Sequence, residues 1–302
     1  MFSPIGAALT ARRVARPGWR APVPVICCGN ATVGGAGKTT LVLDLARRLT
    51  SRGIAVHILT RGYGGGARTG RRVTAADDAI EVGDEALLLA QVAPTWIGAD
   101  RGATARAAVA AGAKVLLMDD GLQNPTLKKT FSLLTVDGRT GFGNGRVLPA
   151  GPLREPPEAA AARCAAAIVI GPVDAVTLNR LPPDLPVLRA DLVQGPEIAA
   201  LSGRRVLAFT AIAIPDKFFR ALRQAGVLLV DTWTFGDHHI FTAQEIARLE
   251  TSARRLDAIL AATPKDAVKL PSTLNVSILG VHLEWADEAA VEALLDRALA
   301  GT

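Results

Sequence analysis

The sequence has few aromatic residues and no apolar run long enough to cross a bilayer. Only 4% of its 302 residues are aromatic, and only one of them is Tyr. Because a nucleic-acid surface usually combines basic residues with stacking aromatics, this scarcity argues against a nucleic-acid partner. No uncharged run approaches the roughly 18 residues that a membrane span needs. These absences predict a globular protein without a transmembrane helix.

Cysteine is also scarce, with three residues in the chain. Cys27 and Cys28 are adjacent in an apolar run that is typical of a strand. This arrangement excludes a disulfide framework and a metal knuckle. We therefore interpret the cysteines as small buried residues of a protein in a reducing cytosol.

Acidic residues are missing from the first twenty positions, which contain Arg12, Arg13, Arg16 and Arg20. The formal net charge of the whole chain is +6, so much of the excess lies in this segment. A clustered basic segment predicts contact with an anionic membrane surface or a phosphorylated substrate. Apolar residues precede the arginines, the reverse of a secretory signal, so we expect no signal peptide. Residues 1–20 are thus predicted to be a basic, membrane-proximal segment.

From Val23 onward, apolar runs alternate with helical patterns, which is typical of a parallel sheet covered by helices. The predicted strands of the first half are "VPVICC", "AVHILT", "KVLLMD", "SLLTVD" and "AIVIG". A proline-rich stretch follows, and a second α/β series begins near residue 199. The pattern predicts an α/β/α sandwich with a mostly parallel sheet over residues 21–198. It predicts a smaller α/β domain over residues 199–302.

The stretch "ATVGGAGKTT" lies between the first predicted strand and a helical pattern. A glycine-rich turn that ends in Gly-Lys-Thr and opens a helix is typical of a phosphate-binding loop, or P-loop. Its backbone N–H groups face the anion, Lys38 reaches the terminal phosphates, and the Thr39 hydroxyl can ligate Mg²⁺. The predicted nucleotide-binding residues are Thr32, Val33, Gly34, Gly35, Ala36, Gly37, Lys38, Thr39 and Thr40.

A hydrophobic strand in "VLLMDDG" delivers Asp119 and Asp120 to its carboxyl end. In a parallel sheet this end lies beside the P-loop, where an acid can hold the metal of a bound nucleotide. The alternative is a pair of solvated turn acids before Gly121. Together, the loop and the acids predict an enzyme that uses Mg²⁺ and a nucleoside triphosphate. They leave its phosphate acceptor open.

Two further polar positions have competing interpretations. Asp84 precedes a helical pattern and is most simply the N-cap of a helix that starts near Glu85. His238 precedes a capping box of Thr242 and Glu245, so it is predicted to lie on a loop at a helix entrance. An acid and a histidine in a nucleotide site can also form a base and its orienting partner, which would remove the proton of a sugar hydroxyl.

Seven motifs of the sequence occur in the order and spacing of one family. They are "PVPVICCGNATVGGAGKTT", "RGYGG", "VGDE", "DDGLQ", "GNGRVLPAGPLREP", "DHH" and "KDAVK". They extend from Pro22 to Lys269, and the proline-rich run "LPAGPLREP" is the most specific of them. On these motifs the sequence resembles the tetraacyldisaccharide 4'-kinases of lipid A biosynthesis.

The resemblance implies a P-loop kinase that transfers the γ-phosphate of ATP to the 4'-hydroxyl of an acylated glucosamine disaccharide 1-phosphate. It implies a peripheral enzyme at the cytoplasmic face of the inner membrane of Gram-negative bacteria, and no obligate protein partner is evident. It also implies that the smaller C-terminal domain closes on the nucleotide.

The resemblance further implies roles for individual residues. By position, Asp84 looks like the catalytic base and His238 its partner, while Lys38 acts on the transferred phosphate. The candidates for holding Mg²⁺ are Thr39, Glu85, Asp119 and Asp120. Asn124 replaces a frequent histidine of the family, and Thr40 stands where proline or serine is frequent.

The alternative function is that of a nucleotide-switched ATPase of the partitioning or metal-delivery type, whose loops have the same doubled glycines. Val33 stands where those proteins have an additional lysine, and the sequence has no ligand cluster for a metal cargo. A switch protein also has no need of the "LPAGPLREP" run. These three points favour the kinase.

Overall fold

The computed structural model describes residues 3–62 and 70–301. The strands are β1 (Val25–Gly29), β2 (Val56–Thr60), β3 (Arg71–Arg72), β4 (Thr95–Ile97), β5 (Val115–Asp119), β6 (Phe131–Asp137), β7 (Ala166–Ile170), β8 (Val187–Gln194), β9 (Arg205–Thr210), β10 (Leu228–Thr234), β11 (Ile259–Ala262), β12 (Ser277–Ile278) and β13 (Val281–Trp285). The helices are α1 (Ser3–Val14), α2 (Lys38–Ser51), α3 (Ala79–Val82), α4 (Asp84–Ala90), α5 (Arg101–Ala110), α6 (Pro157–Ala161), α7 (Ala175–Leu178), α8 (Pro215–Gln224), α9 (Ala243–Arg255), α10 (Pro264–Ala267) and α11 (Glu288–Ala300). Residues 63–65 of the "RGYGG" motif lie outside the described residues.

A nine-stranded sheet forms the larger layer, in the order β13-β8-β7-β6-β1-β5-β2-β4-β3. The pairs from β8 to β4 are parallel, and only the two edge pairs, β13 with β8 and β3 with β4, are antiparallel. Parallel strands joined through helices must have both faces covered, which explains their continuous apolar runs. The predicted α/β sandwich with a mostly parallel sheet is confirmed.

Alternate residues of the central strands point to opposite faces of the large sheet. On one face, Leu41, Leu45 and Leu49 of α2 pack with Ile26 of β1, all four fully buried. The other face packs against α5, α6 and the loops that follow β6. Burial of one leucine stabilises the fold by about 1.5–3 kcal/mol. Because the three leucines lie on one face of α2, this face packs on the sheet. This packing fixes the start of α2 at the end of β1.

A second, four-stranded parallel sheet has the order β10-β9-β11-β12. Helix α8 covers one face through Phe218, Phe219 and Leu222. Helix α9 covers the other face through Leu249 and Ala253. We call this sheet with α8, α9 and α10, over residues 205–278, the small lobe, and the remainder the large lobe.

The predicted assignment of all residues 199–302 to a separate smaller domain is wrong for the last strand and helix. Strand β13 pairs with β8 of the large sheet, and α11 packs against α2. Arg48 and Arg52 of α2 both form ion pairs with Glu292 of α11. The sequence pattern concealed this return, because β13 is an edge strand whose alternating side chains carry no sign of the sheet it joins.

The N-terminal helix α1 carries Arg12 and Arg13 in its last turn and has no acid in its first turn. Its Thr10 hydroxyl donates a hydrogen bond to the carbonyl oxygen of Arg154 at 3.2 Å, which ties the helix to the large lobe. Within residues 3–62 and 70–301, no helix combines the length and the apolar character that crossing a bilayer requires.

Candidate active site

The glycine-rich loop ends at Gly37, which immediately precedes α2. Gly37 has φ 79°, in the left-handed region, and a Cβ placed there would lie 2.7 Å from Cδ1 of Ile170. Any other residue would therefore be strained and would collide with β7. Because Gly37 has no side chain to cap the helix, the N–H groups of the first turn of α2 are available to an anion.

The proline-rich run "LPAGPLREP" packs directly on this loop. The N–H of Val33 donates to the carbonyl oxygen of Pro152 at 2.8 Å, and the N–H of Arg154 donates to Ala31 at 2.7 Å. Thr32 forms an isolated antiparallel bridge with Leu153. The two segments thus form a short ladder that holds the loop from one side.

Asp119 ends β5 beside the loop. Its Oδ2 lies 3.4 Å from the Thr39 hydroxyl, and its buried Oδ1 has no hydrogen-bond partner among the residues that the structure describes. Burial, together with repulsion by Asp120, raises the pKa of Asp119 to about 6. A buried carboxylate oxygen without a partner is a liability unless a ligand satisfies it. A hydroxyl and a carboxylate are oxygen donors that Mg²⁺ prefers, so Thr39 and Asp119 fit this metal.

Asp120 has a different environment from its neighbour. Both of its oxygens lie within 2.9 Å of a guanidinium nitrogen of Arg154, and Oδ1 lies 3.7 Å from Nζ of Lys38. Its backbone is in the left-handed region, with φ 51°. Asp120 therefore positions two cations at the loop, and its role in holding a metal stays a prediction.

Asp84 is the first residue of α4 and not its N-cap. The N-cap is Gly83, with φ 85°, so the N-cap interpretation is wrong. The carboxylate still accepts a hydrogen bond from the N–H of Glu85 at 3.0 Å, but it also meets His238. Nδ1 of His238 lies 3.0 Å and 2.9 Å from the two oxygens of Asp84. The structure thus brings the predicted pair together across the two lobes.

The carboxylate of Asp84 is 4% exposed and is surrounded by charges. Nζ of Lys265 and Nζ of Lys269 each lie 4.0 Å from its Oδ2. Glu85, which is next in sequence, pairs with Lys265 at 2.5 Å. Burial raises the pKa of Asp84 to about 6, against the lowering effect of Lys265 and His238. Asp84 is therefore ionised at neutral pH and close to its titration range.

Asp266 explains how the "KDAVK" motif holds its two lysines. It is fully buried, and it accepts hydrogen bonds from the hydroxyls of Thr210 and Thr263 and from the N–H of Ala211. These bonds fix α10 to the end of β9. Lys265 and Lys269 are thereby directed toward α4 of the large lobe.

A second group of potential metal ligands lies at Asp84, Glu85 and His238. One donor atom from each can be chosen so that all lie within 4.8 Å of one another. Lys265 and the imidazole of His238 already engage the two acids, however. Thr39 and Asp119 therefore fit Mg²⁺ better than this group does, and Glu85 is more simply a partner of Lys265.

The Asp84 group and the P-loop face each other. Glu85 and Lys38 both act electrostatically on Asp119, Glu85 raising its pKa and Lys38 lowering it. Next to Asp120, a cavity of about 460 Å³ is lined by four arginines and by residues of α1. These arginines are Arg13, Arg61, Arg101 and Arg154. Burial lowers the pKa of Arg101 to about 10.

Sequence reasoning missed Arg154, Lys265 and Lys269 as site residues. The first belongs to "LREP" and the others to "KDAVK", so all three lie in motifs that carry the family resemblance. Their signal was a charged residue within a motif that lacked an assigned function. Asn124, for which a role was in doubt, accepts hydrogen bonds from the N–H and the hydroxyl of Thr126 and so shapes the loop after β5.

A P-loop at the carboxyl edge of a mostly parallel sheet, faced by a buried acid from another helix, defines the class of P-loop phosphotransferases. The family model described as tetraacyldisaccharide-1-P 4'-kinase matches residues 2–300. The chain belongs to the tetraacyldisaccharide 4'-kinase family.

Similar proteins are found both by sequence and by structure. A tetraacyldisaccharide 4'-kinase of Gluconacetobacter diazotrophicus is 56% identical over 95% of this chain and 89% of its own length. One of Gluconobacter oxydans is 52% identical over 98% of this chain and 91% of its own. The crystal structure of LpxK from Aquifex aeolicus in complex with ATP is similar with a TM-score of 0.79 at 25% identity, covering 99% of this chain and 97% of that one.

Proposed function

We propose that the protein transfers the γ-phosphate of ATP to the 4'-hydroxyl of a tetraacylated glucosamine disaccharide 1-phosphate, in lipid A biosynthesis. The observation that carries the residue-level mechanism is the contact of the buried Asp84 carboxylate with Nδ1 of His238, at 2.9 Å. A P-loop alone serves switches and kinases equally well. A buried acid of raised pKa facing it is what proton removal from a hydroxyl requires.

In this mechanism Asp84 takes the proton of the 4'-hydroxyl as the oxygen attacks phosphorus. A pKa of about 6 leaves it ionised at pH 7, with more basicity than an ordinary aspartate. The N–H at Nδ1 of His238 donates to the carboxylate and holds it in one orientation. Lys265 and Lys269 moderate the charge, so that the acid remains ionised despite its burial.

The P-loop side holds the phosphates. Lys38 and the first turn of α2 bind the terminal phosphates, and Arg154 and Asp120 fix the approach of Lys38 to them. Thr39 and Asp119 would hold Mg²⁺, which when bound neutralises charge on the phosphate oxygens. Because these groups are preorganised by the loop and by β5, they lower the barrier mainly by positioning and electrostatics.

The acceptor is proposed to occupy the cavity of about 460 Å³ beside Asp120. Its four arginines suit an anionic glycolipid, and one of its walls is formed by α1, which belongs to the basic N-terminal segment. We further propose that residues 1–20 hold the enzyme to the cytoplasmic face of the bacterial inner membrane, as a peripheral protein. Each arginine near an anionic surface contributes on the order of 1 kcal/mol, less at high salt.

Incubation with labelled ATP, Mg²⁺ and a tetraacylated disaccharide 1-phosphate in detergent tests the proposed reaction. The expected product is a bisphosphorylated lipid with the new phosphate at the 4'-position. ATP hydrolysis without a labelled lipid would favour the nucleotide-switched ATPase instead.

Co-sedimentation with anionic vesicles tests the membrane segment. The variant in which Arg12, Arg13, Arg16 and Arg20 are all serine is expected to bind far more weakly than wild type at low salt. Equal binding by the two proteins would refute the proposed role of the segment.

A further inference from the structure

A separate cavity of about 440 Å³ lies beside the loop that follows β5. Its walls are the end of α1 with the residues after it, the segment 122–129, and two side chains from beyond that segment, Ser132 and Arg163. Asn124 lines both this cavity and the acceptor cavity. We call it the Lys128 cavity, after the lysine at its edge.

The walls of the Lys128 cavity are fixed by the backbone. The N–H of Trp19 donates to the carbonyl oxygen of Thr126 at 2.9 Å, and the N–H of Lys128 donates back to Trp19 at 2.8 Å. At Gly18 a Cβ would lie 2.4 Å from the carbonyl oxygen of Pro125, so the two segments approach as closely as glycine allows. The cavity is therefore built into the fold and does not depend on side-chain rearrangement.

The lining of the Lys128 cavity is cationic. Arg16, Lys128, Lys129 and Arg163 contribute to it, and no Asp or Glu among residues 3–62 and 70–301 does. Arg163 is engaged by Glu155 at 2.7 Å. Within the described part of the chain, Arg16, Lys128 and Lys129 have no carboxylate within 4 Å. The cavity thus concentrates positive charge that the protein itself does not neutralise.

Lys129 shows the electrostatic consequence. Its ammonium donates to the carbonyl oxygens of Asn124 and Leu122, which are neutral acceptors. Burial lowers its pKa and repulsion by Arg163 adds to this effect, whereas Glu155 acts in the opposite direction. An anion in the cavity would relieve this unfavourable environment, because it would supply the missing opposite charge at short range.

We propose that the Lys128 cavity binds a phosphate group carried by a lipid. Lysine and arginine together suit phosphate oxygens, and no aromatic ring of the described residues belongs to the lining, which disfavours a nucleotide base. The cavity adjoins the end of α1, the basic segment that we propose to lie on the membrane, and the inference rests on that proposal. The phosphate belongs either to a bilayer phospholipid or to the acceptor itself.

Vesicle binding tests the bilayer source. The probes are phosphatidylcholine vesicles containing phosphatidylglycerol and vesicles of equal surface potential in which oleate supplies the charge. Wild type is expected to bind the phosphate-bearing vesicles roughly 10-fold more tightly than the carboxylate-bearing ones. Lys128→Glu is expected to remove that preference, and Lys128→Ser to reduce it. Lys114→Glu, the same change at an exposed lysine before β5, is expected to keep it.

Kinase assays in neutral detergent micelles test the acceptor source. If the phosphate is the acceptor's own, Lys128→Glu raises KM for the acceptor roughly 10-fold at unchanged kcat, and the vesicle preference does not depend on Lys128. If it belongs to the bilayer, KM is unchanged and the vesicle preference is lost. An effect in neither assay, with melting temperatures equal to wild type, overturns the proposal. A wild-type enzyme that phosphorylates no lipid would refute the proposed function alone, because the vesicle assay needs no turnover.

Discussion

The phosphate half of the site lies within the large lobe and consists of Lys38, Asp119 and Asp120. The other half spans the two lobes, where Asp84 meets His238. The first group is held by β1, β5 and a loop ladder of backbone hydrogen bonds. The second depends on side chains of the small lobe reaching α4. In the proposed mechanism, phosphate binding is thus preformed within one lobe, whereas proton removal requires both lobes to be in place. Four predictions separate these two halves of the site.

The largest effect is expected on the phosphate half. Lys38→Ala should lower kcat by roughly 10³ to 10⁵, because water is a poor substitute for the ammonium beside the transferring phosphoryl group. Folding should survive. The measurement is turnover at saturating ATP and acceptor, with Lys114→Ala as the control for loss of a lysine. Near-normal lipid phosphorylation by folded Lys38→Ala would refute the P-loop assignment.

Substitutions of Asp84 and His238, the half of the site that spans the lobes, should reduce turnover less than Lys38→Ala does, and their effects should not multiply. Asp84→Asn keeps the shape and removes the basicity, so turnover should fall by roughly 10² to 10⁴. Because the pKa of Asp84 is raised, the variant should be no less stable than wild type at pH 7. His238→Ala should also slow turnover, and the double variant should be little worse than the slower single one, because the two residues act as a unit. If the two effects instead multiply, the residues act independently.

The pH dependence should distinguish the halves further. Because ionised Asp84 is the base and its pKa is raised to about 6, kcat/KM should fall about tenfold per pH unit below that value and level off above it. Asp84→Asn should lose the share of this acidic limb that Asp84 contributes, leaving at most the share of Asp119, although its rate is lower throughout. A wild-type profile that is flat from about pH 5 to about pH 7, the range that brackets this pKa, would contradict the assignment of Asp84 as the base.

The smallest effect is one of stability, at Asp119. The pKa of Asp119 in the folded protein, about 6, exceeds its ordinary value of 3.8. The stabilisation that the protonated Asp119 gives the folded protein is therefore fully present below pH 3.8 and is lost as the pH rises through 6. At about 1.36 kcal/mol per pH unit, the buried charge destabilises the nucleotide-free protein by about 3 kcal/mol at pH 7. Asp119→Asn should therefore melt at a higher temperature than wild type at pH 7.5, while losing activity.

Thermal melts without nucleotide or Mg²⁺ across a pH series check this prediction. The gain should shrink as the pH is lowered below 6 and vanish below 3.8, where the wild-type carboxylate is protonated in both states. Asp137→Asn, at the end of β6, is the matched control. An Asp119→Asn protein that is no more stable than wild type at pH 7.5 would mean that the charge is compensated in the fold.

The sequence sufficed for the part of the molecule that local patterns determine. The buried parallel strands, the P-loop and the position of Asp119 beside it follow from apolar runs and glycine spacing, which are properties of neighbouring residues. The distinction between helix cap and candidate base at Asp84 was not local. It depended on where His238 and Lys265 lie, and no periodicity reports a contact between residues 154 positions apart.

Edge strands and motif charges were the other limits of sequence reasoning. Strand β13 alternates exposed and buried residues, and such a pattern fits either sheet. Arg154 follows a proline-rich run whose shape is set by contacts with residues 31–33, so its approach to Asp120 became visible only with the loop in place. For β13 and for Arg154, the sequence did not reveal which part of the molecule each one contacts.

The return of β13 to the large sheet also constrains the order in which the chain can fold during synthesis. Strand β8 leaves the ribosome early, but its antiparallel partner follows only after every residue of the small lobe has been made. Until then the outer edge of β8 has no partner strand, and the face of α2 that α11 covers is exposed to solvent. The nascent protein therefore passes through a stage in which the small lobe can be complete while the larger sheet still has an unpaired edge, which favours aggregation.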